Sequence, residues 1–172
     1  MGKIVWFTGL SGVGKTTLAK ILNNELLKLN FRVKIIDGDV FRKKNKNNNI
    51  FSKTNIVKNN LSIISHVKEI QNKYDFILIS VISPLLKTRN FAKIRFGEQY
   101  FEIYVKCKIR TLEKRDTKKL YAKAKKNLIK NLIGYNSKIK YEISKYKKIT
   151  IDTDKLNKSE AVKIIMKKVF NN

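Results

Sequence analysis

The chain has 172 residues, 42% of them hydrophobic and 10% aromatic, which is enough for one core and too little for two, so a single domain spanning 1–172 is expected. One cysteine, Cys107, read as a small buried apolar residue, excludes an internal disulfide and any multi-cysteine metal site; no apolar run approaches the roughly 20 residues that cross a bilayer, so a cytoplasmic protein with no membrane partner is expected. The formal net charge of +26 invites a nucleic-acid partner, but only six of the 39 basic residues are Arg, and scattered Lys lacks the fork that reads bases and phosphates, so no nucleic-acid partner is expected.

Ile4 to Thr8 is a short apolar run that enters a Gly-rich turn and then a helical pattern carrying Leu18, Ile21, Leu22, Leu26 and Leu29. A second strand, Arg32 to Ile36, stops at Asp37-Gly38-Asp39, and Lys43 to Asn49 is too polar to be other than exposed loop. Thr54 to Gln71 predicts a helix with Ile56, Ile63, Ile64, Val67 and Ile70 inward, followed by the buried-strand run Phe76 to Ile82, ended by Ser83-Pro84. Phe101 to Val105 predicts a fourth strand, Arg115 to Lys130 a Lys-rich helical stretch, Ile149 to Ile151 a fifth strand, and Ser159 to Phe170 a closing helix. Trp6 is read as core and His66 as an ordinary helix residue. Strands alternating with helices predict an α/β fold: a central parallel sheet of about five strands, helices on both faces, and ligands at the strands' carboxyl ends.

Gly9-Leu10-Ser11-Gly12-Val13-Gly14-Lys15-Thr16 matches G-x-x-x-x-G-K-[ST], and it sits after a strand and before a helix, where a phosphate cradle must sit. Its glycines let backbone N–H groups wrap phosphate oxygens, Lys15 reaches the β and γ phosphates, and Thr16 offers a hydroxyl to Mg²⁺. Phe76 to Ser80 resembles the strand that ends in a metal-binding Asp in many ATPases, yet no carboxylate follows it closely. Asp37 and Asp39 are therefore the candidates to orient the metal's water or take the proton of an attacking hydroxyl; a capped Asx turn is the structural alternative. No D-x-x-G pattern is present and Asn157-Lys158 gives a poor guanine motif, so adenine is the expected base.

The cradle with Thr17, then Asp37-Gly38-Asp39-Val40-Phe41-Arg42, Phe51-Ser52, Ile82-Ser83-Pro84, Arg115-Asp116, Leu120-Tyr121 and Ile151-Asp152-Thr153 together resemble adenylyl-sulfate (APS) kinases, in order and across most of the chain. The resemblance implies a P-loop kinase with a mobile lid over about 115–135, working with Mg²⁺ and ATP on a small nucleotide, and a homodimer. It implies that Gly9, Ser11, Gly12, Val13, Gly14, Lys15, Thr16, Thr17 and Arg115 hold ATP. Lys15, Asp37 and Asp39 would be catalytic, and Thr16 would hold the metal. Asp39, Arg42, Phe51, Asn59, Ile82, Ser83, Lys118 and Leu120 would face the acceptor, whose ribose 3′-hydroxyl the family phosphorylates.

Where the family reads D-R-x-x-N-x-R-R, this chain has Asn55-Ile56-Val57-Lys58-Asn59-Asn60-Leu61-Ser62, so Ile56, Leu61 and Ser62 replace arginines. Losing a charge-assisted contact to an anion costs on the order of 1.5–3 kcal/mol, which weakens a sulfate grip, unless lysines such as Lys53 and Lys58 take it over. The family's N-F-T-G becomes Asn131-Leu132-Ile133-Gly134, so a ring expected beside the acceptor base is Leu132. These departures resemble a branch that phosphorylates cytidine diphosphoramidate in capsule O-methyl phosphoramidate biosynthesis, and that acceptor is the first expectation. Adenylyl sulfate is the alternative, and a nucleic-acid-binding ATPase the competing class.

Overall fold

Five short apolar strands form an all-parallel sheet of order β2-β3-β1-β4-β5 in the computed structural model, which describes residues 1–44, 52–145 and 148–171. The strands are β1 (Lys3–Thr8), β2 (Val33–Asp37), β3 (Phe76–Ser80), β4 (Tyr100–Lys106) and β5 (Ile149–Asp152), each within two residues of the run that predicts it. The crossovers carry α1 (Lys15–Lys28), α2 (Gly38–Lys44), α3 (Lys53–Ile70), α4 (Leu86–Phe96), α5 (Ile109–Arg115) and α6 (Leu120–Lys125), and α7 (Lys158–Phe170) closes the chain.

Strand alternation sorts the core into two layers. Val5, Phe7, Leu78 and Ile103 face α1 and α7 through Leu18, Leu22, Leu26 and Ile165. Ile4, Trp6, Ile77 and Ile79 face α3 and α4 through Ile63, Ile64, Val67 and Phe96. Helices thus cover both faces, as the α/β expectation requires, and the β1 and β3 interiors are apolar throughout because both faces are buried. Among the described residues no helix is long and apolar enough to cross a membrane.

Several features differ from the sequence expectation. Beyond the strand end at Asp37, Gly38 and Asp39 open the unforeseen helix α2: the Asp37 carboxylate accepts the N–H groups of Asp39 (2.8 Å), the Asx turn of the structural alternative, and of Val40 (3.4 Å), and caps the helix. Lys43 belongs to that helix, while 45–49 of the expected loop lie outside the described residues. Helix α4 has no counterpart in the apolar pattern, because two of its four buried residues, Thr88 and Arg89, are polar. The stretch Arg115 to Lys130 is not one helix: α5 ends at Arg115, and Asp116 accepts the N–H groups of Tyr121 (3.1 Å) and Ala122 (2.8 Å), starting α6 after a turn. Leu29 is also exposed, just past the end of α1, and Cys107 is only half-buried.

Candidate active site

The β1–α1 turn can be made only by glycine at its first position. Gly9 has φ +141°, and a Cβ there would lie 2.1 Å from the Val105 carbonyl oxygen of the neighbouring strand. Gly14, at φ +99°, then caps α1 in the left-handed region and aims the helix N-terminus across the loop. Lys15 and Thr16 follow in the first turn, beyond the carboxyl ends of β1 and β3.

Lys15 is buried, and its Nζ donates to the Gly9 (2.9 Å) and Leu10 (2.7 Å) carbonyls. Burial, then the positive charges of Lys118 and Arg42, partly offset by Asp37, bring its pKa down to about 7. Thr16 Oγ1 donates to Asp37 Oδ2 at 2.8 Å and lies 3.0 Å from Ser80 Oγ. This answers the missing carboxylate after β3: β2 is its hydrogen-bonded neighbour with Asp37 opposite Ser80, so the adjacent strand supplies the acid. One carboxylate and two hydroxyls make a hard, all-oxygen donor set. That suits Mg²⁺, which keeps several waters and takes its other ligands from phosphates.

Asp39 lies one helical step beyond, with Arg42 donating to Oδ1 and Lys118 to Oδ2. Arg42 is largely buried, and that burial lowers its pKa. Across the cleft, Arg115 donates to Thr153 Oγ1 (3.1 Å) and to the Thr153 carbonyl (2.9 Å), and Tyr121 Oη donates to the Ser11 carbonyl at 2.9 Å, fastening α6 to the loop.

These groups enclose a cavity of about 730 Å³, lined by Ser11 to Leu18, Asp39, Ile82, Arg115 and Lys118 among the residues the sequence singles out. Asp37 stands behind Thr16. Asn59 is buried on α3 with its Oδ1 unpartnered. Ser83 is fully buried with its Oγ 3.3 Å from Thr88 Oγ1, so its hydroxyl turns into the protein, and Leu120 packs on the α1-side core. Leu132 is buried in that same core, whereas its neighbour Ile133 packs with Ile56 and Ile82. Phe51 lies outside the described residues.

The far wall of the cavity, Thr153, Leu156, Asn157, Lys158 and Ser159, is not among the expected site residues, although Thr153 belongs to a family-like motif and Asn157-Lys158 is read as a poor guanine motif. Its available signal was the position just past a parallel strand, with Asn157 and Glu160 forming a capping box at the start of α7. Arg89, 1% exposed, was also missed.

Residues 1–152 match the adenylylsulphate kinase family. Similar proteins include the probable adenylyl-sulfate kinase of Archaeoglobus fulgidus, 34% identical over 90% of this chain and 98% of its own. The adenylyl-sulfate kinase of Clostridium acetobutylicum is 35% identical over 94% of this chain and 80% of its own. The Mycobacterium tuberculosis APS kinase CysC, solved with AMPPNP and APS, superposes with a TM-score of 0.89 at 27% identity, covering 99% of this chain and 98% of that one. Shikimate kinase from Aquifex aeolicus (TM-score 0.55, 17% identity) shares the fold alone.

Proposed function

The chain belongs to the adenylyl-sulfate kinase family and is an ATP-dependent kinase acting on a hydroxyl group, and from that premise we propose that its acceptor is the ribose 3′-hydroxyl of a nucleotide, with adenylyl sulfate the acceptor that the relatives' names favour. The observation that carries the reading is that Lys15, Thr16 and Asp39 line one cavity, with Asp37 hydrogen-bonded to Thr16 from behind. In-line transfer needs position and a field more than covalent chemistry.

ATP lies with its phosphates on the Gly9–Gly14 turn and the α1 N-terminus, and Arg115 and Thr153 flank the nucleotide end. Thr16 and Asp37 would hold Mg²⁺, which when bound would supply charge neutralisation for the phosphate oxygens. Lys15 leaves the Gly9 and Leu10 carbonyls for the transferring phosphate. Asp39, its carboxylate oriented by Arg42 and Lys118, faces the attacking hydroxyl and accepts its proton. The cytoplasm, with its MgATP, is the expected setting.

A second acceptor, cytidine diphosphoramidate, is favoured by one observation. Ile56, which stands where the family motif carries Arg, is buried with Ile133 against Ile82, so the cavity lining at Ile82 is backed by apolar side chains and not by a cation. Such a setting suits a terminus that, like a phosphoramidate, carries an NH2 group in place of one of the charge-bearing oxygens of sulfate. Incubation with MgATP and each acceptor in turn, with products identified by mass, decides the matter. A phosphorylated adenylyl sulfate supports the first acceptor, a phosphorylated cytidine compound supports the second, and no phosphorylated nucleotide from either sinks the proposal.

A further inference from the structure

A buried guanidinium outside the cavity links the segment that carries Ile82, which lines the cavity, to the strap packed behind it. Arg89, in the middle of α4, is 1% exposed, and its two terminal nitrogens donate to main-chain carbonyls: Nη1 to Ser83, the residue after Ile82, and Nη2 to Glu142, the residue after Tyr141. Its guanidinium carbon also lies 5.2 Å from the centre of the Tyr141 ring. Tyr141 in turn stacks on Tyr104 (5.4 Å, 23°) and shares a 2.6 Å hydrogen bond with Thr8, the residue before the phosphate loop. Glu142 completes the clasp, its N–H donating to the Pro84 carbonyl at 2.8 Å and its carboxylate accepting the Leu86 N–H at 2.5 Å.

The charge of Arg89 is met by Glu102 on β4, 3.3 Å from Nε, but that pair is misaligned and Nε lacks a hydrogen-bond partner. The well-directed ends of the fork therefore go to the two carbonyls. A buried ion pair is a poor way to gain stability, since an apolar pair of similar volume commonly does as well or better. What an apolar residue cannot do is hold two carbonyls on separate segments at a fixed spacing. Those segments bear Ile82 and Tyr141, which meet in the small cluster with Ile56 and Ile133.

We propose that Arg89 is a positioning residue for the acceptor: by bridging the Ser83 and Glu142 carbonyls it fixes Ile82, which lines the cavity, against the 133–141 strap packed behind it. This rests on the proposed nucleotide acceptor. ATP contacts the other side of the cavity, so Arg89 governs acceptor use and leaves ATP use alone.

The test uses R89K, which keeps the charge and loses the fork, and the double variant R89M/E102L, which removes both buried charges together. The proposal expects the acceptor KM of both to rise about tenfold with the ATP KM within twofold of wild type, and the double variant to melt no lower than wild type. Amide exchange in 133–142 should quicken in both while β1 and α1 keep wild-type exchange. An acceptor KM within twofold of wild type in a folded double variant, or in R89K should the double variant not fold, overturns the proposal. So does unchanged exchange in 133–142, a readout that needs no acceptor. Wild type that phosphorylates no nucleotide overturns the functional reading instead, and amide exchange then still decides whether Arg89 pins the strap.

Discussion

ATP binding should draw a proton onto Lys15. The side chain is buried beside Lys118 and Arg42, which brings its pKa from 10.5 to about 7. Phosphate oxygens placed against Nζ favour its charged form, and full restoration of the ordinary value would correspond to about 5 kcal/mol of coupling between proton and nucleotide. At pH 8.5, above the range in which phosphate itself titrates, Lys15 is almost wholly neutral before binding and charged afterwards, so about one proton is taken up per ATP. Titration calorimetry of MgATP in two buffers of different ionisation enthalpy reads that number from the difference in heat. The affinity for ATP should fall as pH rises above 7, by up to about tenfold per unit. In the Lys15→Met variant the buffer dependence should vanish. No uptake at pH 8.5, or equal uptake in Lys15→Met, refutes the reasoning. The sign for folding is fixed too: between pH 7 and 10.5 the unfolded chain holds a proton that the folded chain has lost, so stability rises with pH across that window and is lowest below 7.

Asp37→Asn should lower kcat by about a hundredfold or more while shifting the melting temperature little, because Asn caps α2 as well as Asp does but offers a metal no charge; near-normal turnover would remove Asp37 from the chemistry. Gly9→Ala should abolish soluble expression, since its Cβ would meet the Val105 carbonyl at 2.1 Å in a left-handed conformation, and a normal melting curve would contradict this. Ile56→Arg places a charge in an apolar cluster and should cost roughly 2–4 kcal/mol in denaturant titrations, with part regained on adding adenylyl sulfate and none on adding uncharged cytidine; equal stability with and without the nucleotide would show that position 56 does not face the acceptor. The homodimer implied by family likeness is checked by light scattering, which should give twice the 20.1 kDa chain mass.

Much of the fold was legible because β1 and β3 have unbroken apolar interiors, because β2, β4 and β5 are short and at least half apolar, and because α1, α3 and α7 repeat apolar residues on one face. Helix α4 was not, since its inward face spends Thr88 and Arg89 on hydrogen bonds that only a finished fold can supply. The phosphate loop was readable from eight consecutive residues. The role of Asp37 was narrowed to two acids but no further, because its closeness to Thr16 and Ser80 follows from the β2–β3 pairing, which no local pattern encodes. For the same reason, the wall from Thr153 to Ser159 meets the loop only after the chain has crossed the whole sheet. Residues such as Ser83 and Leu132, named by motif position, carry no mark of which way they turn.

The central claim, phosphoryl transfer to a nucleotide ribose, is tested most directly by phosphorus NMR of MgATP with adenylyl sulfate or cytidine diphosphoramidate and the purified chain. The account predicts a new phosphomonoester resonance coupled to the ribose H3′, growing as ATP becomes ADP. ADP with inorganic phosphate alone, with both acceptors intact, would contradict it.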